Sequence, residues 1–156
     1  MNLKVCRICH GSSFRCYLNL GFTPPADSFL RAQGLQQPEV YYPLEVYLCL
    51  ECGISQLGYT VSPDILYQQD YPYESSTTRA GRTHFFNFAT SVVDRFKLGS
   101  KNLAIDVGSN VGVLLDGFKT KGCRILGIEP SANIAAIAVG RGVETINDFI
   151  SPKLAS

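Results

Sequence analysis

A chain of 156 residues that is 46% hydrophobic has ample apolar side chain for a buried core, in one ordinary domain or two small ones. Its net charge of +1 excludes the basic footprint of a nucleic-acid binder or of a protein held on an anionic membrane. No stretch approaches the roughly 20 apolar residues of a membrane span. The opening Met1-Asn2-Leu3-Lys4-Val5-Cys6 has no apolar signal region, so a cytoplasmic protein is expected.

In chain order the first feature is a pair of Cys-x-x-Cys turns, Cys6/Cys9 and Cys49/Cys52, separated by a stretch rich in aromatics, proline and glycine. Each turn points two sulfurs at one locus. Two turns together supply the four soft ligands of a tetrahedral Zn²⁺ site. A redox pair would need one such turn opening a helix, and a disulfide framework would need an oxidising compartment. Cys6-Arg7-Ile8-Cys9-His10 also spells the haem-attachment pattern, but haem would leave the second turn unexplained. Four thiolates close the coordination shell, so the metal is expected to be structural. His10 is a possible substitute ligand. Cys16 and Cys123 are left over as packing residues, Cys123 at a strand start.

Residues 1–61 read as a zinc-binding module of knuckle, loop, strand and knuckle. Leu20 to Phe29 is expected to be a turn-rich loop, Val40 to Cys49 a strand, and Ile54 to Val61 its returning partner. Gly53 suits the tight turn after Cys52. Residues 62–98 are expected to form a linker and a helix. A short helix runs from Asp64 to Gln68, then an amphipathic one from Thr78 to Phe96, capped by Ser76 or Thr77. The second helix carries Phe85, Phe88, Ala89, Val92, Val93 and Phe96 at helical spacing.

From residue 99 onward the rhythm is that of a parallel α/β unit. Asn102 to Val107 and Arg124 to Glu129 read as buried strands, and Val143 to Ile146 as a third. Helices are expected from Val113 to about Thr120 and from Ser131 to Val139. The fold class is therefore α/β: a small zinc module, then half of a doubly wound Rossmann-like sheet.

Ligands of such sheets sit beyond the strand ends, where the first turn meets the first helix. That turn reads Asp106-x-Gly108-x-x-x-Gly112. Asn110 and Val113 stand where a dinucleotide fingerprint requires glycine, and no Gly-Lys-Ser/Thr follows for a phosphate loop. A nucleoside without phosphates suits it better. Gly108 and Gly112 let backbone come close, Asp106 and Asn110 can bond an amino acid end, and Glu129 can accept both ribose hydroxyls. Glu129 as a mere helix cap is the alternative.

Asp106-Val107-Gly108-Ser109-Asn110-Val111-Gly112, followed by Gly127-Ile128-Glu129-Pro130-Ser131, resembles the first motif and acidic loop of class I S-adenosylmethionine-dependent methyltransferases. The two Cys-x-x-Cys turns, with Leu20-Gly21 to Phe29 between them, resemble the zinc-binding domain of sugar C-methyltransferases. Tyr71-x-Tyr73-x-Ser75-Ser76 is similar to the segment which that family places against the cofactor. The resemblance implies cofactor contacts at Tyr73, Ser75, Ser76, Asp106, Gly108, Ser109, Asn110, Gly112, Glu129 and Pro130, with metal ligands Cys6, Cys9, Cys49 and Cys52. It implies a nucleotide-linked 4-keto deoxysugar as substrate. An enolate carbon, formed by loss of the proton beside the keto group, would attack the sulfonium methyl.

A full sheet of that family has about seven strands and needs roughly 150 to 200 residues of its own. Residues 99–156 offer far fewer, so a fragment of a longer enzyme is expected. The catalytic base is expected beyond residue 156, and the chain alone is expected to be inactive. His84 reads as a helix-surface histidine, and Glu74 and Arg79 as ordinary loop residues. The competing reading is a zinc-stabilised, non-catalytic module that binds a nucleotide-sugar or a protein.

Overall fold

The computed structural model describes residues 2–67, 71–75 and 77–155. The chain divides into two compact units, Met1–Leu66 and Tyr67–Ser156.

The first unit is a three-stranded antiparallel sheet in the order β1 (Phe14–Thr23), β2 (Tyr42–Cys49), β3 (Ser55–Leu57). A 3₁₀ turn at Ala32–Gly34 interrupts the loop between β1 and β2. β1 falls partly where a turn-rich loop was expected. Its pairing with β2 slips between Cys16 and Leu18 and again between Asn19 and Phe22. At the second slip Gly21 adopts φ +74° and donates its N–H to Asn19 Oδ1 at 2.8 Å. Such bulges break the period-two alternation by which a strand is read from sequence. β2 starts at Tyr42 instead of Val40, and β3 is shorter than Ile54 to Val61. Cys16, expected to pack, is exposed.

Helix α1 (Pro63–Tyr67) begins one step earlier than expected, with proline at its first position, where the missing N–H costs nothing. The expected end at Gln68 lies outside the described residues. Helix α2 (Arg79–Phe96) is capped by Thr78, whose Oγ1 accepts from Gly81 N at 3.1 Å, and not by Thr77. Ser76 lies outside the described residues. Only part of the expected apolar face of α2 is covered. Ala89 and Val93 are buried, whereas Phe88 and Phe96 are exposed.

The second unit carries a parallel sheet in the order β4 (Leu103–Val107), β5 (Arg124–Ile128), β6 (Thr145–Ile146). The connections are α3 (Val113–Thr120) and α4 (Ala132–Gly140). α2 packs on α3 at Gly117, where a Cβ would stand 2.7 Å from that of Ala89. Ala89, Val93, Phe118 and Cys123 form one buried cluster, and Leu115, Ala138 and Val143 another, both lying against Ala104 and Ile125.

β4 was expected to be fully buried and is not. Leu103, Ile105 and Val107 are 44%, 55% and 55% exposed. These alternate positions face away from the helices that cover Ala104, and β4 is an edge strand among the described residues. A parallel strand is buried on both faces only when helices lie on both. β5, in the middle, buries Gly127 and Ile128.

Candidate functional site

The first unit converges its four paired cysteines. Their sulfurs all lie within 4.8 Å of one another. Cys6 Sγ stands 3.7 Å from Cys52 Sγ, and Cys9 Sγ 3.7 Å from Cys49 Sγ. Four Zn–S bonds of about 2.3 Å at tetrahedral angles put sulfurs about 3.8 Å apart, so the donor set fits Zn²⁺. Disulfide lengths would be near 2.0 Å. His10 is not among the converging groups.

Local backbone bonds build each knuckle. His10 N donates to Cys6 O at 3.0 Å and Cys6 N to Gly11 O at 2.7 Å, with His10 itself at φ +62°. In the second knuckle Gly53 N donates to Cys49 O at 2.9 Å, and Gly53 takes φ +76°, as the sequence required. Glu51 joins the knuckles by accepting from Ser12 N at 2.9 Å and Ser13 N at 3.2 Å.

The thiols are electrostatically uneven. Cys6 is lowered to about 6, first by the Cys9 N–H and further by the Ile8 N–H and Gln56 amide, which outweigh burial. Cys9 is raised to about 12: the Gly11 N–H lowers it, but bonds with the Cys52, Cys6 and Cys49 sulfurs and burial overcome that. Neighbouring sulfurs resist ionising together, and a dication at their centre removes that conflict.

The second unit gathers another set of side chains at the C-terminal end of its sheet. Gly108 at φ +77° and Gly112 at φ +80° bound the turn after β4. Nothing stands within 4 Å of where a Gly108 Cβ would be, so this backbone is open to a ligand. Gly112 is closed instead, because a Cβ there would lie 2.7 Å from Val143. Ser109 is buried, and its Oγ has no hydrogen-bond partner among the described residues.

Glu129 follows β5 and is 5% exposed. Its Oε2 accepts from Asn110 N at 2.9 Å and its Oε1 from Ser131 N at 2.8 Å. It therefore anchors the glycine turn and the start of α4 together, with one acceptor position left on each oxygen. Burial, and then the charge of Glu129, raise the Asp106 carboxyl above its usual range. Asn110, at φ +50°, donates from Nδ2 to Tyr73 O at 3.0 Å and accepts at Oδ1 from Ser75 N at 2.7 Å.

Residues 6–67 match a family described as "Putative zinc binding domain". The first unit is a zinc-binding module. The chain is also 32% identical over 141 residues to C-methyltransferase NovU of Streptomyces niveus. That match takes in 90% of this chain and 33% of NovU. The chain thus spans about a third of the length of the curated relative it matches.

Of the residues singled out in the sequence, the structure brings Tyr73, Ser75, Asn110 and Glu129 into one hydrogen-bonded set, with Asp106 within electrostatic reach. Pro130 contributes its carbonyl to Asn147 Nδ2 at 3.0 Å. His84 is exposed on α2, and Glu74 pairs with Arg141 at 3.6 Å. Asn133, Ser131 and Asn147 were missed. Each is a short polar residue beside a strand end or in a helix first turn, where such side chains bond backbone. No helix among the described residues is long and apolar enough to cross a membrane.

Proposed function

We propose that the chain is the N-terminal portion of an S-adenosylmethionine-dependent C-methyltransferase acting on a nucleotide-linked 4-keto deoxysugar in the cytoplasm. The observation that carries this reading is the similarity to a C-methyltransferase along 90% of the chain, through both units. The corner after β4 supports it. Gly108 offers unobstructed backbone, Ser109 a hydroxyl without a partner among the described residues, and Glu129 and Asp106 two carboxylates.

In this reading Glu129 holds the ribose hydroxyls with its remaining acceptor positions. Asp106, Ser109 and Asn110, with the glycine backbone, hold the rest of the cofactor, and Tyr73, Ser75 and Pro130 border it. The bound cofactor supplies an electrophilic methyl group. This chain's residues bind and orient, while Cys6, Cys9, Cys49 and Cys52 hold zinc as a structural ion. None of them is assigned as the base that removes the substrate proton. Calorimetric titration of the zinc-loaded chain with S-adenosylmethionine and S-adenosylhomocysteine tests the reading. Heat of binding with either is expected, and silence with both removes it.

One observation favours a second reading, a non-catalytic module for a nucleotide-sugar. The first unit has its own apolar cavity of about 480 Å³, lined in part by Pro24, Pro25, Tyr42, Pro43 and Tyr59. A chain that took up a nucleotide-sugar but neither form of the cofactor would favour it.

A further inference from the structure

Tyr71 to Ser75 form no helix or strand, yet side chains from two separate corners of the sheet hold their main chain. At one end the Asn133 amide, in the first turn of α4, meets Tyr71 on both sides. Its Oδ1 accepts from Tyr71 N at 3.2 Å and its Nδ2 donates to Tyr71 O at 2.8 Å. This copies the pair of bonds a neighbouring strand would make. At the other end Asn110 does the same across two residues, through Tyr73 O and Ser75 N. Just upstream, the buried Ser131 hydroxyl donates to Tyr67 O. The segment is thereby laid from the start of α4 to the glycine turn, over the strand ends where an α/β sheet takes its ligand.

We infer that Asn133 is a positioning residue for the cofactor corner: its amide fixes the Tyr71–Ser75 main chain as one wall of that site. This rests on the cofactor reading above. Asn110 has a duty inside the turn as well, since its Oδ1 also accepts from Val111 N at 2.9 Å. Among the described residues the Asn133 side chain bonds only the segment, and it is exposed on its helix. Its loss therefore frees the wall without emptying the core. An aspartate keeps the acceptor and loses the donor, and an alanine loses both.

The test uses the whole zinc-loaded chain and its Asn133→Ala and Asn133→Asp variants. S-adenosylhomocysteine affinity is measured by calorimetry, and amide exchange of residues 71–75 by mass spectrometry. Asn133→Ala is expected to bind about tenfold more weakly, as two lost hydrogen bonds imply. Asn133→Asp is expected to fall between it and the parent. Both variants should keep the parent's zinc content and unfolding midpoint, while residues 71–75 exchange faster before any ligand is added. If the parent binds and Asn133→Ala binds equally well, or if exchange in the segment is unchanged, the inference is overturned and the cofactor reading stands. If the parent does not bind, the cofactor reading itself falls, and the positioning role with it.

Discussion

At the scale of single residues, the two carboxylates behind the glycine turn have different surroundings. Glu129 receives two backbone N–H groups, whereas the Asp106 carboxyl is pushed upward by burial and then by the charge of Glu129. A carboxyl raised on folding gives its full stability below the unfolded value, near 3.9, and loses it as pH rises through the folded one. Asp106→Asn is free of that loss. The difference in unfolding midpoint between variant and parent should therefore shift in the variant's favour from about pH 4 to pH 7, as thermal unfolding at the two values would show. Any release of zinc at the lower pH is common to both proteins and cancels. Glu129→Gln should move the other way. An amide presents one oxygen, so one of the two N–H donors meets an NH₂ group, and a buried unsatisfied donor costs about 1–3 kcal/mol. Urea titration would read that loss at neutral pH.

At the scale of elements, the packing of α2 on α3 includes a contact that tolerates no side chain. Gly117 meets Ala89 Cβ at 2.7 Å and Phe86 Cα at 3.5 Å, measured from where its own Cβ would be. Gly117→Val should force α2 away from α3 and destabilise the second unit by about 1–3 kcal/mol or more. An Ala89→Gly partner change should recover part of that loss in a denaturant series. Gly117 lies inside a helical run, where nothing in the sequence distinguishes a packing glycine from a weak helix former. What was legible follows the same logic. The order β4-α3-β5-α4-β6 could be read because each element keeps its own period, and the zinc ligands because their spacing is local. β1 was hidden by its bulges at Cys16/Leu18 and Asn19/Phe22. The exposed face of β4 was hidden because an apolar run tells what a strand is suited to bury, not what covers it. In the second site, Asp106, Gly108 and Glu129 stood out by type and position. The Asn133–Tyr71 pairing left no trace, since an amide binding distant backbone has no period.

At the scale of the whole molecule, the two units stand on different physics. The first buries little: β1 is exposed along nearly its whole length, and Cys6 and Cys49 are among its most deeply buried side chains. With so little apolar side chain enclosed, the unit draws on its four-thiolate zinc site, which contributes folding free energy directly. The second unit has Leu115, Ile134, Val111 and Val143 almost wholly enclosed and no cysteine cluster among its described residues. Stripping the metal with a strong chelator under reducing conditions should therefore act on one unit and spare the other. Amide exchange should rise across the β1–β2–β3 ladder, while the protected amides of α3, β5 and α4 keep their rates. Cys49→Ser should reproduce that pattern without chelator, because it removes a ligand that is also core. Uniform loss of protection through both units would mean that they fold as one cooperative block, and protection that survived in both would mean that the sulfur cluster is not what holds the first unit together.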